Sequence, residues 1–121
     1  MVIVKDREII FESKAKGIKD LVLAIEKLGN KLENSSLADV IVGKAVAALC
    51  IYAKIKAVFG ETISKPAIKT LKEKGIHVEY ENKVEKILNR EKRDICPFEK
   101  IALKTKSPKE TYQKIKKILT N

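Results

Sequence analysis

The chain has 121 residues, enough for one domain with its own hydrophobic core; 45% are hydrophobic and 35% charged. No apolar run reaches the roughly 18 residues that a membrane span needs, so an integral membrane protein built on helices is excluded. The net charge of +10 raises nucleic acid as a partner, but arginine stands only at Arg7, Arg90 and Arg93, and lysines alternate with glutamates along the helices. The aromatics available for base stacking are Phe11, Phe59, Phe98, Tyr52, Tyr80 and Tyr112. Lysine and glutamate together with many isoleucines are also the composition of a thermophile surface, and that reading is preferred over a nucleic-acid footprint.

Residues 2–5 and 8–13 alternate around Asp6-Arg7 and predict a β-hairpin. A strand at the very start argues against a signal peptide, so the expected location is the cytoplasm. Ile18, Leu21, Val22, Ile25 and Leu28 recur at helical spacing and predict an amphipathic helix over 17–31, followed by a loop at 33–36. From Gly43 to Ala53 the chain is apolar almost all round, interrupted by Lys44, and predicts a buried central helix. Residues 56–60 read as a strand. Ser64 then caps a helix with Pro66 in its first turn and Gly75 at its stop.

Residues 76–80 read as the next strand, and strand–helix–strand implies a right-handed parallel crossover. Val84, Ile87 and Leu88 form a short apolar segment of undecided type, and 89–95 a basic loop. Cys96-Pro97-Phe98-Glu99 carries a helix-start signature: a cap, a proline in the first turn and a glutamate reaching back. Ser107-Pro108-Lys109-Glu110 repeats it and starts the last helix. The whole is one domain over 1–121: an α/β fold of three layers, α/β/α, with a hairpin feeding a mixed sheet and helices on its faces.

The order of elements, together with 38–45 (ADVIVGKA), Ile63-Ser64, Gly75-Ile76, Asn89-Arg90 and 95–99 (ICPFE), resembles the cytidine deaminase-like fold, and within it a small prokaryotic family of undefined function. Zinc deaminases carry His/Cys-x-Glu at one helix start and Pro-Cys-x-x-Cys at the next. The corresponding stretches here read Val42-Gly43-Lys44 and 64–69 (SKPAIK). Both lack metal ligands, and the acid/base glutamate is replaced by lysine. His77, Cys50 and Cys96 are the only soft ligands and none has a second at zinc-site spacing. The expectation is no metal, no cofactor and no zinc-dependent deamination. By the same resemblance a homodimer is expected.

Lysine is unfavourable at a helix N-terminus, which carries partial positive charge, so Lys44 reads either as a surface accident or as one wall of an anion site. In the second reading Gly43 lets a ligand approach the backbone, Ser64 offers a second cradle, and Asp39 and Arg90 orient the ligand. Cys96 and Glu99 line the wall. The structural alternatives are a capping Ser64, a turn-forming Asp39, an idle loop Arg90, a capping Cys96 and a Glu99 that closes its own capping box. Cys50 reads as core and His77 as a packed strand residue. If there is catalysis, Lys44 or Cys96 carries it. The function expected is binding of an anionic, nucleotide- or nucleobase-related small molecule at the start of the central helix. The alternative is a non-enzymatic nucleic-acid-binding or scaffold protein.

Overall fold

The computed structural model describes residues 1–14, 18–87 and 97–120. Strands β1 (Val2–Lys5) and β2 (Glu8–Glu12) form the expected hairpin. Its turn residues Asp6 and Arg7 both have positive φ, 52° and 67°, as a two-residue turn matched to strand twist requires. Helix α1 (Ile18–Leu28) follows, then a 3-10 turn over Gly29–Leu32. Strand β3 (Ser36–Val42) comes next, where the sequence suggested a loop and the approach to a helix. Helix α2 (Lys44–Tyr52), strand β4 (Ala57–Ser64), helix α3 (Lys65–Glu73) and strand β5 (His77–Val84) complete two successive crossovers. Helices α4 (Pro97–Lys104) and α5 (Pro108–Thr120) close the fold. Val84 is the last residue of β5; Leu88 and the loop expected at 89–95 lie outside the described residues.

The five strands form one mixed sheet in the order β2-β1-β3-β4-β5. β1 runs antiparallel to both β2 and β3, whereas β3, β4 and β5 are parallel. One row across the sheet reads Phe11, Ile3, Leu37, Val58, Val78. Its three central members are fully buried. Helix α2 packs against α1, α3, α4 and α5. It is enclosed along most of its surface, so Ala45, Ala47, Ala48, Leu49 and Cys50 are all buried, and its alanines permit the close approach.

The helices therefore do not cover both faces as expected. The neighbouring row of the sheet, Glu12, Val2, Ala38, Phe59, Glu79, lies on the opposite face. There Ala38, Phe59 and Glu79 are exposed. The layers run sheet, then α1–α2–α3, then α4–α5. The cause is the length and polarity of the last two helices. Each buries one apolar stripe, and both stripes are satisfied against α2.

Candidate functional site

Because β3 and β4 are parallel neighbours with Val42 opposite Ile63, the helices that follow them start side by side at the carboxyl edge of the sheet. In open α/β sheets that edge is where ligands bind. The first finding there is that the N-terminus of α2 is already filled from within. Glu99 of α4 lies only 5% exposed. Its Oε2 accepts from the Lys44 amide at 2.9 Å and its Oε1 from the Ala45 amide at 2.7 Å. The capping-box pattern placed this glutamate on its own helix; instead it caps another helix more than fifty residues away. Two free amides and the positive end of the helix dipole receive a carboxylate, as an anion site would, but the anion belongs to the chain.

Gly43 explains how the carboxylate fits. Its backbone is ordinary extended chain (φ −102°, ψ −175°), which any residue adopts. A Cβ at this position, however, would lie under 3.0 Å from the Glu99 carboxylate. Glycine is needed for space, not for conformation. Burial pushes the Glu99 carboxyl above the ordinary glutamate range, opposed by the two amide hydrogen bonds and by the Lys44 ammonium.

The Lys44 side chain, half-buried, lines an open cleft of about 490 Å³ together with Lys65, Pro66, Lys69, Thr70, Glu73 and Glu85. Lys65 forms an ion pair with Glu85 across the cleft. Lys65, Lys69 and Glu73 are spaced four apart on α3 and so share one face of that helix. That spacing was the signal in the sequence for Lys65 and Lys69 as partners of Lys44; Thr70 and Glu85 had none.

The other expected site residues divide as follows. Ser64 is fully buried, and its hydroxyl accepts from the Ala67 amide at 3.3 Å, so it caps α3 and does not reach the cleft. Replacing Ser64 by alanine orphans that buried amide, with an expected loss of about 1 kcal/mol in urea denaturation. Asp39 lies in β3 with its carboxylate on the Val40 amide (2.8 Å) and 3.9 Å from the Met1 amino group, not on Lys44. Burial raises its pKa. Arg90 and Cys96 lie outside the described residues. Cys50 is core, its thiol pushed far up by burial. His77 is exposed at the start of β5, 3.2 Å from the Glu79 carboxylate. Among the described residues no three His, Cys, Asp or Glu side chains gather closely enough to hold a metal, and no helix is long and apolar enough to cross a membrane.

Comparison with known proteins adds two findings. A family model described as a domain of unknown function (DUF1893, TM1506) matches residues 1–119. The crystal structure of a DUF1893 family protein (TM1506) from Thermotoga maritima superposes with a TM-score of 0.84 at 35% sequence identity, over 94% of this chain and 76% of that one. A search of the curated proteins gave no match.

Proposed function

As the chain belongs to the DUF1893 family, whose description carries no activity, we propose from the site itself that it binds an anionic small molecule in the cleft between the starts of α2 and α3. The observation that carries this reading is the convergence of Lys44, Lys65 and Lys69 at the carboxyl edge of the parallel strands. The anion is held by ammonium groups rather than by the amides after Gly43, because Glu99 occupies those amides. Lys65 exchanges Glu85 for the ligand, and the Thr70 hydroxyl is the neutral donor available in the cleft. Flexible lysines around an open cleft suit a phosphate or carboxylate taken as a point charge, not a bidentate fork. A nucleotide- or nucleobase-related ligand is the class to test first, on the strength of the resemblance to deaminase-like domains.

The test is calorimetric titration with nucleoside monophosphates and inorganic phosphate at low salt. Lys44→Ala combined with Lys69→Ala is expected to weaken binding at least about tenfold while leaving the fold intact. Equal affinity in the variant refutes the site. Of the aromatics that a nucleic-acid surface would need, Tyr52 and Tyr112 stack on each other with centroids 4.5 Å apart.

A further inference from the structure

The bare face of the sheet is a feature that the cleft does not use, and it is independent of the cleft reading. Parallel strands are normally buried on both faces because crossover helices cover them. Here β3, β4 and β5 are parallel and covered on one face only. On the other, Phe59 is 38% exposed, Val40, two residues along β3 from Ala38, 46% and, toward the hairpin, Ile9 60%. In rows fixed by the register, Val2 lies beside Ala38 and Phe59, so the apolar residues run as a stripe over β1, β3 and β4. Exposed carboxylates flank it, Glu12 on β2 and Glu79 and Glu81 on β5, and Glu61 on β4 stands beside Val40. An acidic rim on a chain of net charge +10 is a local reversal of sign.

We propose that this face is a docking surface for an amphipathic helix of another protein, one with an apolar stripe bordered by lysine or arginine. A helix lying on the sheet restores the missing layer and buries Phe59, Val40 and Ile9. Its cations meet the glutamates at both margins, which fixes its placement and excludes acidic helices. A second copy of this chain fits less well by either route. Two such faces packed together would set acidic rims against each other. The basic helices α4 and α5 bury most of their apolar stripes within the fold and leave only Leu103 and Ile118 exposed, one apolar residue each and short of a stripe.

The test uses the full chain and a fluorescein-labelled synthetic helix of alternating leucine and lysine faces, followed by fluorescence anisotropy. A scrambled peptide of the same composition serves as control. Saturable binding is expected, at least about tenfold weaker for the scrambled peptide, for Phe59→Asp and for Glu79→Lys with Glu81→Lys. The charge variants sit on exposed positions and report even if Phe59→Asp misfolds by circular dichroism. Non-specific attraction is disfavoured, because protein and peptide are both strongly basic. Absence of binding, or equal binding by the scrambled peptide or by the folded variants, overturns the proposal. A wild-type dimer in light scattering that the charge variants lose also overturns it, in favour of a second copy.

Discussion

Replacing Gly43 by alanine is expected to destabilise the fold by about 2–4 kcal/mol, a large effect for one methyl group. An N-cap residue with φ −102° and ψ −175° has no conformational need for glycine, so the ordinary capping preference alone predicts a loss of only about 1 kcal/mol. The added Cβ instead overlaps the Glu99 carboxylate. That carboxylate cannot move aside cheaply, because it is buried and held by the Lys44 and Ala45 amides. If it is expelled, two buried donors lose their acceptor; if it stays, α2 and α4 must separate. The diagnostic is a double-mutant cycle by urea denaturation. With Glu99→Ala in place, the added methyl meets open space and Gly43→Ala costs only the ordinary capping term, so the two losses are non-additive. Additive losses would show that Gly43 is needed for another reason.

Much of the fold was legible from local pattern. Helices α1, α3 and α5 have an apolar stripe at helical spacing, and α3 and α5 begin on residues whose hydroxyls act as read: Ser64 Oγ accepts from the Ala67 amide, Ser107 Oγ from the Glu110 amide. At Ser107 the box is nearly closed, with Glu110 accepting from the Lys106 amide at 3.3 Å. The same signature at Glu99 misled, because the grammar of a cap describes neighbours in sequence. Its true partners on α2 depend on how α4 packs. Strand β3 was missed for a related reason. Ala38 and Val40 on the bare face are apolar, as Leu37 on the covered face is, so the apolar–polar alternation that marks a half-buried strand does not show. The feature that hid the strand is the one that distinguishes the surface.

The site was legible in part. Lys44 beside Gly43 stands at the carboxyl end of the sheet, where the lysine side chain lines the cleft. What sequence could not show is that the chain supplies its own anion to the amides, leaving the ammonium to face the cleft. Lys44 is thus divided: its backbone holds Glu99 while its side chain lines the cleft with Lys65 and Lys69. The binding proposed at the cleft and the integrity of the α2–α4 clamp are therefore separable: Lys44→Ala is expected to weaken the first and leave the second, since alanine retains the amide.

Glu99→Gln gives the second large effect, and its dependence on pH is the informative part. Glutamine presents one acceptor and one donor to two amide donors. It therefore leaves one of them facing an N–H group, with an expected loss of about 1–3 kcal/mol near neutral pH. The wild-type carboxyl titrates above its unfolded value because burial outweighs its hydrogen bonds. Between the unfolded and folded values the native state then binds more protons than the unfolded state. Wild-type stability must rise as pH falls through the folded value, and level off below the unfolded one. Asp39 shifts in the same direction, also through burial, but it is present in both proteins and cancels in the difference. Comparing urea midpoints of wild type and Glu99→Gln from about pH 7 down to about pH 4 isolates Glu99. The wild-type advantage is expected to widen as pH falls. If it narrows instead, the amides and the helix dipole hold the carboxylate in its charged form against burial. The clamp would then be a true anion site filled by a permanent internal anion.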